Sequence, residues 1–219
     1  MARLPRCVLP DQAHYVILRG HSSQPAFRDD DDRRTCLDAL REAAAAQRVS
    51  VHACAMPDSE LQLLLTPPGA DALSRTMQTL GRRYVGAYNR RHGRSGTLWD
   101  GRFRCAVVEP GDWRLAALRL VDGQPGAASA TQRTGGTRLP GFVDPPEFWQ
   151  LGNTPFEREA AYRTLLVQGL SAAQTALLRN SALGGWAVGS PSFLAQLADT
   201  LDRPLRPRPR GRPARQHQP

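Results

Sequence analysis

Hydrophobic and polar positions over residues 1–122 alternate between strand-like and helix-like patterns. Short β-rich runs predict strands at 14–18, 49–55, 61–65 and 102–108. Apolar residues at spacings of three and four predict helices over 33–47, 71–91 and 112–121. The order is therefore strand, helix, two strands joined by a turn, helix, strand, helix. We predict an α+β fold with a ferredoxin-like split βαβ sheet and one extra helix.

The same pattern predicts the core of this first domain, residues 1–122. Acidic residues 29–32 stand where carboxylates favour the start of the first helix. The predicted core residues are apolar positions on the inner faces of the strands and helices: Val16, Leu18, Leu37, Leu40, Val51, Leu63, Leu65, Met77, Leu80 and Val107.

Beyond residue 122 the composition predicts three further segments. Residues 123–148 are small, polar and rich in Gly and Pro, which indicates a linker or irregular surface segment. The helical pattern over residues 149–202 predicts a small C-terminal helical subdomain. Residues 203–219 carry six arginines and many prolines, which predicts a disordered Pro/Arg tail or an arm along a charged partner.

Helix starts are clear within 149–202. Thr154-Pro155 and Ser190-Pro191 each place a capping hydroxyl before a proline at the first helical position, and Ser171 begins another helix. The first of these helices is predicted to direct Phe156, Ala160, Leu165 and Leu166 inward.

Charge is concentrated in two places. The net charge is +9, and all 29 basic residues other than histidine are arginine. Residues 81–104 and 203–219 together hold 13 arginines and one acid, so the remaining chain is slightly acidic. This distribution is typical of a nucleic-acid-binding protein. No CxxC pair indicates a zinc or redox site, and no long apolar run indicates a membrane segment, so we expect a cytoplasmic protein.

The run GRRYVGAYNRRHGRSGTLWDGRFR at 81–104 is the strongest functional signal. Guanidinium groups bind phosphate oxygens, and aromatic faces can stack on bases. The predicted DNA-binding residues are Arg82, Arg83, Arg90, Arg91, His92, Arg94, Trp99, Arg102 and Arg104. The alternative is a solvated helix face followed by a basic loop. Tyr84 and Tyr88 fall on the apolar stripe of the helix, which favours a core position for both.

Several strings resemble the single-tyrosine HUH transposases, specifically the REP-associated tyrosine transposase branch. They include HYVILRG, FRDDDDRR, VHACAMP, LLLTP and, most specifically, RRHGRSGTLWDGRF. The resemblance implies a ferredoxin-like catalytic domain that binds hairpin-forming single-stranded DNA. It also implies a His-hydrophobic-His triplet that holds Mg²⁺ or Mn²⁺ and a tyrosine that attacks the scissile phosphate.

The chain departs from that chemistry at each of these positions. The triplet falls on Glu60-Leu61-Gln62, and the tyrosine position falls on Leu120, or on a neighbour if the register shifts by one. We therefore predict a catalytically inactive protein without a metal cofactor. It would bind single-stranded or hairpin DNA near a bacterial nucleoid and could form a homodimer. The alternatives are a nuclease with a rearranged site, in which Glu60 and Gln62 bind Mg²⁺ weakly, and a decayed relic.

Overall fold

The computed structural model describes residues 6–201, 204 and 205. Its four strands are β1 (Ala13–Arg19), β2 (Ser50–Ala55), β3 (Glu60–Thr66) and β4 (Arg104–Val108). They form one antiparallel sheet in the order β2-β3-β1-β4, with β1 and β3 at its centre. This is the predicted split βαβ arrangement, so the ferredoxin-like sheet is confirmed.

Eight α-helices accompany the sheet within the described residues. They are α1 (Asp30–Gln47), α2 (Ala72–Arg91), α3 (Asp112–Asp122), α4 (Ala130–Arg133), α5 (Pro146–Trp149), α6 (Pro155–Gln168), α7 (Ala172–Gly184) and α8 (Pro191–Thr200). Helix α1 begins three residues before the predicted start because the Asp29 carboxylate accepts the Asp32 N–H. The predicted starts at Thr154, Ser171 and Ser190 are confirmed, each with a capping hydroxyl.

Helices α1 and α2 cover one face of the sheet. Alternate strand residues, including Val16, Leu63 and Leu65, point into this layer and pack against residues such as Leu40 and Leu80. Most of the predicted core lies here, and Leu37 packs against it while only half-buried. Val107 belongs instead to a smaller cluster, where it packs with Cys7 and with Leu194 of α8.

The opposite face of the sheet is covered as well. Tyr15, Ile17 and Leu64 point into a second apolar layer, which is closed by α3, α6 and α7. The predicted inward side of α6 is wrong at Phe156, which is 81% exposed, whereas Tyr162 is fully buried. Since α7 packs directly on β1 and β4, no break in packing corresponds to the predicted boundary at residue 122.

The predicted linker over 123–148 also needs correction. The segment contains α4 and α5 and buries Arg133, Phe142 and Phe148. The Val143 N–H donates to the Val51 carbonyl at 2.9 Å, which ties the segment to β2. Its Gly- and Pro-rich composition conceals a packed irregular segment. Of the predicted tail, only residues 204 and 205 are described, and the remainder lies outside the described residues.

Candidate nucleic-acid interface

The aromatic residues of the 81–104 run lie inside the protein. Tyr84 and Tyr88 are buried, and their hydroxyls donate to the carbonyls of Ala26 and Pro25 at 2.5 and 2.9 Å. Trp99 packs against Tyr84 with ring centroids 6.0 Å apart and is only 7% exposed. Trp99 therefore packs in the core, and its small exposed part lines the groove described below, so little of its ring is available for the predicted contact with DNA.

Arg91 and His92 join a cluster of acids at the start of α1. Arg91 binds the carboxylates of Asp29 and Asp32 with N–O distances of 2.6 Å, and it also contacts Asp31 at 3.3 Å. His92 Nε2 lies 2.9 Å from the same buried Asp32. Burial opposes ionisation of Asp32, but hydrogen bonds from the Arg28 N–H, His92 and Arg91 lower its pKa overall. These two predicted DNA contacts therefore have internal partners that join α2 to α1.

Four other predicted arginines remain available. Arg82, Arg90, Arg102 and Arg104 are exposed, and their side chains form no ion pair or hydrogen bond with any residue that the structure describes. An arginine without an internal partner retains all its donors for an external anion. Two further predicted residues are partly engaged: Arg83 pairs with Glu42, and Arg94 donates to the Thr97 carbonyl.

A groove of about 540 Å³ lies between the first half of α2 and the loop at 99–103. Its apolar floor includes Leu18 and Met77, and Arg6, Arg75 and Arg102 line it with guanidinium groups. The Arg6 guanidinium lies 3.8 Å from the Phe103 ring centroid and its Nε donates to the Phe103 carbonyl at 3.2 Å. Arg6 and Arg75 were missed by the sequence analysis because they are isolated in the chain.

Two smaller depressions at the edge of the sheet are linked to this groove by shared lining residues. One, of about 150 Å³, is lined by Arg19, Arg102 and Arg104 together with Asp100. The next, of about 280 Å³, shares Arg19 and Asp100 and reaches Glu60. The basic groove is defined here as these three neighbouring depressions, which carry Arg6, Arg19, Arg75, Arg102 and Arg104. It extends from α2 to the first residue of β3.

At its far end, the basic groove meets the position that the resemblance assigns to metal. Glu60 is half-buried and Gln62 is buried, both on the face of β3 that α7 covers. Arg179 Nη2 of α7 donates to both Glu60 oxygens at 3.0 Å, and Arg19 Nε donates to Oε1 at 3.1 Å. Gln62 Nε2 donates to Glu60 Oε2 at 3.0 Å, while its own Oε1 accepts the Tyr15 hydroxyl at 2.7 Å.

This arrangement does not fit a divalent metal. Each Glu60 oxygen already accepts two hydrogen bonds, and the Gln62 carbonyl accepts another, so the oxygens that a metal would need are engaged. Arg179 also places a positive charge there; burial opposes it, but Glu60 and Tyr15 raise its pKa. Among the described residues, no group of three or more His, Cys, Asp or Glu side chains could hold a metal ion.

Leu120, the predicted tyrosine position, is buried in the second apolar layer on α3. It packs among hydrophobic residues of α3, α6 and α7. A leucine side chain has no group that could attack a phosphate. Tyr84 and Tyr88 lie on the other side of the sheet, in the layer with α1, so neither lies on the face that carries Glu60 and Gln62.

Comparison with solved structures identifies the fold. A REP-associated tyrosine transposase bound to a REP hairpin superposes with a TM-score of 0.52 at 9% identity, over 66% of this chain and 93% of that one. The chain has a REP-associated transposase-like fold. A candidate transposase from Deinococcus radiodurans also matches, with a TM-score of 0.39 at 18% identity over 50% and 88% of the two chains. No family profile and no curated protein matches this sequence.

The length and apolar character of the helices bear on whether any of them could cross a membrane. Within residues 6–201, 204 and 205, no helix combines the length and the apolar character that a bilayer crossing requires.

Proposed function

We propose that this protein binds single-stranded or hairpin DNA without cleaving it. The observation that carries the proposal is the basic groove, where five arginines line three neighbouring depressions on a transposase-like fold. The similar transposase is bound to a REP hairpin. A groove lined by guanidinium groups suits the phosphate backbone of such a hairpin.

Two altered positions support the proposed absence of cleavage. Glu60 and Gln62 are joined to Arg179 and Tyr15, which leaves no metal site between them. Leu120 supplies no nucleophile. Since phosphate binding by arginines requires neither metal nor tyrosine, the binding surface can act by itself.

Binding is tested by fluorescence anisotropy with a labelled hairpin that carries a single-stranded flank. Arg102→Ala with Arg104→Ala removes two arginines without an internal partner from the centre of the basic groove. Each lost phosphate contact lowers the slope of log K against log salt by about 0.7 to 0.9, so we expect a decrease of about 1.5 and a weaker complex.

The matched control is Arg34→Ala with Arg163→Ala. It changes the net charge equally, but these exposed residues lie on α1 and α6, outside the basic groove. If the control weakened binding as much as the groove variant, the arginines would act through net charge alone. Equal affinity of the unaltered protein for duplex, scrambled and hairpin DNA would favour the decayed-relic alternative.

Cleavage is tested by incubating the labelled hairpin with Mg²⁺ or Mn²⁺ and separating the products on a denaturing gel. We expect neither nicked DNA nor a covalent protein–DNA adduct. A metal-dependent adduct would refute the proposed loss of chemistry and support a rearranged active site.

A further inference from the structure

An arginine cluster lies at the end of the basic groove, at the position that the resemblance assigns to a metal. Arg179 comes from α7 and Arg19 from the end of β1, and the two meet on the single carboxylate of Glu60. The two guanidinium groups exceed the carboxylate by one positive charge. A guanidinium group carries five N–H donors, and Arg19 uses only its Nε on Glu60, so its remaining donors can bind another anion.

The cluster is held rigidly. Glu60 receives hydrogen bonds from Arg19, Arg179 and Gln62, and Gln62 is itself held by the buried Tyr15 hydroxyl. Groups fixed in this way need little reordering when an anion binds, which reduces the entropic cost of binding. The Arg19 and Arg179 side chains are still 45% and 27% exposed, so both can be reached from solvent.

The cluster also adjoins the path of the DNA. Arg19 lines both depressions at the sheet edge, and the depression of about 280 Å³ beside Glu60 is large enough for a phosphate group. Asp100 is the only other acid among the residues that line these two depressions, and Arg102 and Arg104 offset its charge. The depression of about 280 Å³ is itself lined by one arginine, Arg19, and two acids. The excess of positive charge around it comes from Arg102 and Arg104 in the neighbouring depression and from Arg179, which binds Glu60.

We propose that Arg19 and Arg179, held by Glu60, form a metal-independent site for one DNA backbone phosphate. The site lies where the transposase resemblance assigns the metal that holds the scissile phosphate. Fixed guanidinium groups would bind that phosphate through charge-assisted hydrogen bonds and leave its bonds intact. This inference rests on the proposed DNA-binding function. It adds that the altered position still binds a backbone phosphate of the DNA.

The test is ethylation interference on the hairpin in excess EDTA, with the full-length chain and with the double variant Glu60→Gln plus Arg179→Gln. The double variant leaves the net charge unchanged and replaces the ion pair by two amides. With the double variant, we expect ethylation of one or two adjacent phosphates to stop interfering with binding. The interference at the other phosphates should stay the same. The salt slope should decrease by no more than about 0.9 for one lost phosphate contact.

Circular dichroism checks that the double variant is folded. If the folded double variant gives an unchanged interference pattern, this inference is overturned and the proposed function remains intact. If the unaltered protein bound no hairpin, both would fail. A second test uses MnCl₂ alone with the unaltered protein, by calorimetry. We expect no binding at the cluster; Mn²⁺ binding that Glu60→Gln abolishes would overturn the metal-independent site.

Discussion

Replacing Arg133 by methionine should unfold a large fraction of the molecules under mild denaturing conditions. The Arg133 side chain is completely buried and lies 2.8 Å from Asp122 and 2.8 Å from Asp144. Its Nη2 also donates to the His52 carbonyl on β2. The Nε–H faces Asp144 at ion-pair distance without the alignment of a hydrogen bond, so the attraction there is electrostatic.

The size of the effect follows from what the methionine leaves behind. Asp122 keeps hydrogen bonds from Ser129 and Tyr162, but both carboxylates lose their buried cation. Removing one partner of a buried ion pair costs about 3 to 5 kcal/mol. The total stability of a domain is only about 5 to 15 kcal/mol, so this loss is a large part of it.

Urea unfolding followed by tryptophan fluorescence measures the loss, with Arg138→Met as the matched control. Arg138 also pairs with Asp144, at 3.1 Å, but its side chain is 65% exposed. An exposed pair contributes at most about 1 kcal/mol, so the control should remain close to the unaltered protein. Adding Asp122→Asn and Asp144→Asn to Arg133→Met should recover part of the loss, since neither of these two positions then holds an unpaired buried charge.

Two results would refute this reasoning. If Arg133→Met lowered the free energy of unfolding no more than Arg138→Met does, burial would not determine how much an arginine–carboxylate pair stabilises the fold. If the triple variant were no more stable than Arg133→Met, the loss would come from the shape of the arginine and its hydrogen bond to β2.

Two pH effects follow from buried titratable groups. Burial lowers the pKa of His14 and of His52 from 6.5 to about 4, so their stabilising effect is complete above pH 6.5 and decreases towards pH 4. Urea titrations should show stability falling over that window, and His52→Gln should reduce the slope; an equal slope would place the proton uptake elsewhere. The lowered pKa of Asp32 predicts a further loss below about pH 4, which Asp32→Asn should abolish in acid unfolding curves. An acid unfolding curve unchanged by Asp32→Asn would contradict a contribution of the contacts of Asp32 with Arg91 and His92 to stability.

The sheet could be predicted from the sequence because its signals are local. Alternation in β2, the helical stripe that contains Tyr84 and Tyr88, and the hydroxyl–proline helix starts each depend on neighbouring residues. Such signals survive without knowledge of the tertiary structure. The arginine-rich run likewise indicated a polyanion surface, and four of its arginines are available in the structure.

The missed features depend on contacts between distant residues. Arg179 and Glu60 are 119 positions apart, and Arg133 and His52 are 81 apart. An isolated arginine in a helix predicts solvent exposure, and only the packing of α4 and α7 on the sheet shows otherwise. An aromatic ring among arginines, such as that of Trp99, suits both DNA stacking and a core, and only the structure shows its packing on Tyr84.

The surface that we propose to bind DNA and the positions that the resemblance assigns to catalysis lie largely on different parts of this fold. Glu60 is joined to Arg179 on the sheet face that α7 covers, and Leu120 of α3 is buried in the apolar layer on that face. Most of the basic groove lies beside α2 and at the ends of β1 and β4, and it meets those positions at Glu60. In the proposed function, phosphate binding depends on Arg75, Arg102 and Arg104, whose positions do not depend on Leu120 or on the pair of Glu60 with Arg179. A change of chemistry at those positions therefore need not remove the binding surface, since function depends on the site and not on the fold.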